Sequence, residues 1–294
     1  MRKVILATTL MLFLGYTVGI KAQVQEEFWH WSVIDTARVV CLYDYTEYFM
    51  FRSEHLKEHD NYLLEIGDTL SRFYSYKHFQ SDSLFYTTPA AKQEYQRRVL
   101  EGMKARGDSK MSSLEKMISI MPGGSALEVY KNYPNDSITV LDNWSGRSLY
   151  KEPLEPQPWK VLPDTATILG FQCQKAVCQW RGRSYTAWFS EEIPINDGPY
   201  KFFGLPGLIV NVEDAKGEYG WYLKGIEQPD EKRIYQYKPL DGKEFKHTER
   251  LAELRKQWKS RLGNVKKMNS DAIMLGKEPN ENEDPYDLIE LDYK

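Results

Sequence analysis

Between Phe171 and Ser190 the chain alternates its side chains on either side of one tight break, a pattern that an antiparallel hairpin satisfies and a helix does not. Phe171–Trp180 is the outgoing arm and Arg181-Gly182-Arg183 the turn. In the return arm, 184–190, Tyr185, Ala187 and Phe189 fall on one side, and Thr186 and Trp188 on the other. A period of two sends successive residues to opposite faces of a strand, whereas a helix groups residues three and four apart.

The same pattern recurs along the chain. Within 36–51, Val40, Leu42, Asp44 and Thr46 alternate against Val39, Cys41, Tyr43 and Tyr45, which predicts a long first strand. Stretches 62–66 and 70–76 predict two more, joined through Gly67-Asp68-Thr69 as a hairpin. Strand signals follow at 127–133, 137–141 and 147–152, then a Pro-rich connector over 153–163, then strands at 208–213 and 219–226. Helical spacing is confined to two places. Thr88-Pro89 offers a cap before Ala91, Tyr95, Val99 and Met103, and Leu114, Met117, Ile118 and Met121 precede Pro122-Gly123-Gly124. This insertion, at about 88–121, reads as a packing pair or a lid. Leu251, Leu254, Trp258 and Leu262 mark one late amphipathic helix. Strands and helices do not alternate, so the expected class is α+β, mainly β: a curved, half-barrel-like antiparallel sheet with a few accessory helices.

The ends frame this domain, expected over 23–270. Arg2 and Lys3 precede an uncharged run from Val4 to Ile20 that closes at Lys21-Ala22-Gln23, the layout of a secretory signal peptide cut after Ala22. With no Cys near residue 22, a lipoprotein is not expected, and the chain reads as exported to the periplasm or beyond. Loss of 1–22 removes three of the 39 basic residues and no acidic one, so the formal charge moves from −3 to −6. That balance gives nucleic acid no electrostatic footprint. No later run has transmembrane length, so an integral membrane protein is not expected either. The tail, 271–294, is polar and acidic, with a short docking segment around Leu288-Ile289. Of the three cysteines, Cys173 and Cys178 lie five apart on one strand and face opposite ways, so any bridge involves Cys41; the alternative is three separate thiols.

Residues 193–210 are dense in turn formers. Asn196-Asp197-Gly198-Pro199 is one turn by composition. Leu205-Pro206-Gly207-Leu208 has the Pro and Gly spacing of a type II turn, which asks for φ > 0 at Gly207. Between them stand Tyr200-Lys201-Phe202-Phe203, read either as a displayed hydrophobic knob or as a cap on the core.

In this segment the chain resembles the GLPGLI family of exported Bacteroidota proteins. The naming hexapeptide is intact at Gly204-Leu205-Pro206-Gly207-Leu208-Ile209. The segments 66–75, 168–176, 181–183, 187–189 and 193–203 resemble its core blocks, and Leu288-Ile289-Glu290-Leu291 its C-terminal signature. The resemblance implies export and a β-rich fold, and brings no biochemical activity with it.

Candidate chemistry is sparse. His55-Leu56-Lys57-Glu58-His59 matches the H-x-x-E-H zinc pattern, which needs a helix to bring its two His together. Here it sits in what reads as a charged link between strands. There is no G-x-S-x-G elbow, phosphate loop or dinucleotide fingerprint, and no cofactor is expected. Arg181 and Arg183 at a hairpin tip suit an anion or carboxylate partner, or a solvated turn. The binding candidates are therefore Arg181, Arg183, Tyr200, Phe202, Phe203, Leu205, Pro206 and Gly207. The expected function is non-catalytic binding of a hydrophobic ligand, a peptide or an outer-membrane partner. A hydrolase using His55, Glu58 and His59 is the alternative.

Overall fold

The computed structural model describes residues 32–51, 54–79, 93, 97, 127–142, 146–237, 244–260 and 288–292. The expected signal peptide, most of 271–294 and the helical insertion, apart from Gln93 and Arg97 (both helical), lie outside the described residues.

The strands are β1 (Ser32–Ala37), β2 (Val39–Phe51), β3 (Glu54–Ile66), β4 (Ser71–Ser75), β5 (Leu127–Lys131), β6 (Ser137–Asp142) and β7 (Ser148–Pro153). There follow β8 (Lys160–Ile168), β9 (Phe171–Trp180), β10 (Arg183–Ser190), β11 (Leu208–Asp214), β12 (Tyr219–Glu227), β13 (Lys232–Gln236) and β14 (Lys246–His247). Twelve of them make one sheet in the order β14-β7-β6-β5-β4-β3-β2-β12-β11-β10-β9-β8. Two meanders, β2 to β7 and β8 to β12, are thus joined where β12 pairs antiparallel with β2. Every pairing in the sheet is antiparallel except β14 on β7. The sheet curves without closing into a barrel, and the class is α+β, mainly β. Among the described residues no helix is long and apolar enough to cross a membrane.

Register explains the core. Cys41 lies opposite Leu64, Leu64 opposite Phe73, Phe73 opposite Val129, Val129 opposite Val140 and Val140 opposite Tyr150. All six are buried in one cluster, so one face of the first meander is a continuous apolar row. The opposite face carries charge. Arg72 is sealed there, with Nε and Nη2 each 3.0 Å from a Glu128 oxygen and its guanidinium 4.1 Å from the centre of the Tyr74 ring. The β1–β13 ribbon packs nearby through Ala37, Val40, Leu70 and Ile234, and Lys232 reaches Glu65 at 3.1 Å.

Turn chemistry sets the hairpins. At Arg181-Gly182 both φ values are positive, 51° and 81°, and Leu169-Gly170 repeats this at 51° and 86°. Two successive left-handed residues suit the right-handed twist of the flanking strands. Several boundaries differ from the sequence reading. The first strand breaks at Arg38 into β1 and β2. The supposed link at 55–59 is the first half of β3, paired throughout with β2. The connector expected over 153–163 ends as edge strand β8, where Pro163 is tolerated at a register shift between Val161 and Thr165.

Candidate functional site

Ser190 and Leu208 are paired ends of β10 and β11, so 191–207 is one long hairpin loop. Loops of this length without secondary structure are uncommon, and backbone hydrogen bonds must come from elsewhere. Here Ile209 N–H donates to the Asp197 carbonyl at 3.0 Å and Leu208 N–H to that of Ile193 at 3.0 Å. The Gln157 side chain donates to the Lys201 carbonyl at 3.0 Å and accepts from Phe203 N–H at 2.9 Å, while Trp159 Nε1 donates to the Phe203 carbonyl at 2.8 Å. So anchored, the loop presses its aromatic run into the apolar face. Tyr200 stacks on Trp221 with centroids 5.9 Å apart and planes at 8°, and Phe202 meets Tyr185 edge-on at 4.8 Å. Tyr200 has φ 52°, a strained value for an aromatic residue. Its hydroxyl donates to Glu290 at 2.6 Å, which helps fix that geometry.

Within the loop, Lys201 is fully buried. Its ammonium lies 2.5 Å from Glu290 Oε1, 2.7 Å from Glu152 Oε1 and 3.2 Å from the Tyr150 hydroxyl. Burial by itself would lower its pKa; Glu290, Tyr150 and Glu152 reverse that and raise it. Glu290 shows the converse. Burial opposes its charge, but Lys201, Tyr200 and Arg250 hold its carboxyl below the ordinary value of 4.5. Glu290 belongs to the tail segment 288–292, which is fastened residue by residue. Arg183 Nη2 donates to the Leu288 carbonyl at 2.8 Å, Tyr185 Oη to that of Ile289 at 3.0 Å, and Leu291 N–H to the Arg181 carbonyl at 2.7 Å. Arg250 Nη2 pairs with Asp292 at 2.5 Å and Arg181 Nη1 with the same carboxylate at 3.3 Å. The helix over 250–260 adds Leu254 against Leu288.

On the other flank of the loop a cleft of about 200 Å³ opens between the β3–β4 turn, the end of β5 and residues 195–197. Ile66, Leu70, Leu154, Ile195 and Phe203 supply apolar lining. Ser71, Lys131, Asn132 and Asp197 supply polar groups. Ser71 and Lys131 are directly opposite on β4 and β5. The Lys131 ammonium pairs with Asp197 and donates to the Gly198 carbonyl at 2.5 Å. Burial outweighs Asp197 here, so the Lys131 pKa is lowered. Unlike Lys201 it has one carboxylate beside it rather than two. Ser71 is 3% exposed, and its hydroxyl has no hydrogen-bond partner among the described residues.

The candidate residues therefore separate. Arg181 and Arg183 are not a solvated tip: Arg183 is buried against Asp214 at 2.8 Å and Glu218 at 2.6 Å, and both arginines hold the tail. Tyr200, Phe202 and Leu205 are core, 3%, 0% and 2% exposed, so the displayed knob gives way to the cap on the core. Gly207 is buried with φ outside the left-handed region, which corrects the type II turn; Gly204, with φ 99°, takes the left-handed position instead. Pro206 is exposed beside it. Phe203 alone of the eight lines the cleft. His55 and His59 stand four residues apart on strand β3, where the H-x-x-E-H pattern asks for a helix, and the side chains of His55 and Glu58 lie outside the described ones. Among the described residues no cluster of three or more His, Cys, Asp or Glu could hold a metal ion. Cys41, Cys173 and Cys178 are three buried free thiols, and burial pushes the Cys178 thiol up to about 12. Ser71, Lys131, Lys201 and Glu290 escaped the sequence reading. Their signal was a polar residue in an apolar register: Lys131 follows Leu127 and Val129 on one strand face, and Glu290 interrupts Leu288-Ile289 and Leu291.

A family model described as "Protein of unknown function (Porph_ging)" matches residues 179–211, from the end of β9 through the loop into β11. No curated protein sequence matches this chain. Two solved structures of PNGF-II resemble it. The one in space group P21 has a TM-score of 0.45 and 13% identity, covering 78% of this chain and 34% of that one. The one in space group C2 has 0.42 and 14%, covering 75% and 33%. This chain thus spans about a third of the length of either, and the family match takes in the turn after β9, strand β10 and the long loop.

Proposed function

We propose that this protein is an exported, non-catalytic binding protein of the cell envelope, of the GLPGLI type, whose ligand contact is the cleft beside the 191–207 loop. One observation carries the reading: the cleft is preformed. Its Phe203 wall is clamped from both sides of the backbone by Gln157 and Trp159, and its floor lies on paired strands β4 and β5. Rigid concavities with apolar walls and a few placed polar groups are what small-molecule and side-chain recognition needs. The thiols argue in the same direction, because burial raises the pKa of each and leaves it a poor nucleophile. Native mass spectrometry of the protein isolated from its own envelope fraction tests the proposal. Co-isolation of a ligand or partner is expected. Recovery of the bare chain, or of a full-length cytoplasmic form, contradicts it.

A further inference from the structure

Resting on that reading, we propose that the cleft is built for an uncharged aromatic ring bearing one oxygen, a phenol, with the Ser71 hydroxyl as its hydrogen-bonding partner. Size is the first argument. The cleft measures about 200 Å³, and a dry protein cavity of about 150 Å³ already accepts benzene. Shape follows from the walls. Ile66, Leu154 and Ile195 offer aliphatic contacts, and Phe203, fixed through its own backbone, offers an aromatic ring for edge-on or offset packing.

Charge is decided by the floor. The charged groups of the cleft are already paired, the Lys131 ammonium with Asp197 and the Gly198 carbonyl, and Asp68 with Arg38 at 2.8 Å. An anionic ligand would compete with Asp197 and Asp68 for their cations, and a cationic one with Lys131 and Arg38 for their carboxylates. A neutral ligand disturbs neither. Ser71 then specifies the oxygen. It is almost wholly buried, it lines the cleft, and its hydroxyl has no partner among the described residues. Buried hydroxyls are costly to leave unpaired, and a ligand oxygen in this cleft removes that cost in the complex alone. The ring is either a free phenol or the side chain of a tyrosine in a peptide; the chemistry at Ser71 is the same.

The test compares p-cresol with toluene by ligand-observed NMR on the full chain. p-Cresol is expected to bind with a Kd of about 1 mM, and toluene about tenfold more weakly. Ser71→Ala should bring p-cresol down to the toluene value while raising the melting temperature of the ligand-free protein. Raised stability with lost affinity is the signature of a hydroxyl kept for a ligand. A fall in melting temperature on Ser71→Ala, or equal binding of p-cresol and toluene to the wild type, overturns the proposal. Ile195→Trp, which fills the cleft from the loop side, should abolish p-cresol binding; retained binding also overturns it. N-acetyltyrosinamide separates the sources: tighter binding than p-cresol assigns the site to a peptide, weaker binding to a free phenol. A co-isolated envelope ligand that p-cresol does not displace sinks this assignment and leaves the binding function standing.

Discussion

A methyl group at Gly207 would overlap the carbonyl oxygen of Ser190 and lie 2.8 Å from Glu191 N. Ser190 is paired with Leu208 in the sheet, so that carbonyl has nowhere to go. Gly207→Ala should therefore destabilise the fold by about 3 kcal/mol, the upper end of overpacking. Gly170, with φ 86° and no atom within 4 Å of an added Cβ, provides the contrast. There only backbone strain acts, and Gly170→Ala should cost about 1–2 kcal/mol. Denaturant melts of the two variants check the order; a larger loss at Gly170 would mean that loop 191–207 yields. The Leu-Pro-Gly-Leu spacing pointed to a glycine here through the wrong cause. A left-handed turn is written in four neighbouring residues, while the close approach to Ser190 spans seventeen and has no local mark.

At the scale of elements, the tail segment 288–292 and the β9–β10 hairpin are one electrostatic joint. Removing a single partner from a buried ion pair strands the other charge, at about 3–5 kcal/mol. Glu290→Gln should cost less, about 2–3 kcal/mol at neutral pH, since Lys201 and Arg250 both lose a carboxylate but keep Glu152 and Asp292. The pH dependence has a definite sign. The folded-state pKa of Glu290 lies below 4.5. Its contribution is therefore whole above 4.5 and disappears as the pH falls through the folded value. Asp292 is also held low, by Arg250 and Arg181 against the effect of burial, so its contribution is whole above 3.8 and is lost at lower pH than that. Thermal melts from pH 7 to pH 3 should show the wild type losing stability below 4.5, with a shallower fall for Glu290→Gln. Parallel curves would separate the tail from the stability of the fold. Hydrophobic spacing at Leu288-Ile289 was enough to expect docking. The carboxylate that follows them, Glu290, which does the fastening, has no meaning until Lys201 stands beside it.

The molecule as a whole depends on the seam where the two meanders meet, because β2 is paired on both sides, with β3 and β12. Cys41 sits in that seam, fully buried, with its thiol pKa raised by burial. Its alkylation by iodoacetamide should accordingly report global opening, slowing to the unfolding rate in native buffer and rising with denaturant. Labelling that ignores denaturant would mean that the seam opens locally. The β2–β12 pairing joins residues some 180 positions apart, for example Tyr45 and Trp221. Such pairings are slow to form and leave no trace in a short window of sequence. By itself the sequence determined the hairpins and most strand bounds, since alternation and turn residues act over two to four positions. It also carried the antiparallel class, which follows from short connections. Only tertiary structure decided which strands meet across the seam, that 54–59 and 160–168 are strands, and that Tyr200 and Phe202 face inward. It also decided that Arg183, Lys201 and Glu290 are buried together and that Ser71 and Lys131 share a cleft. The physical reason is common to all of these: a side chain's burial and its charge partners are set by residues distant in the chain, and local patterning encodes only which face a residue takes.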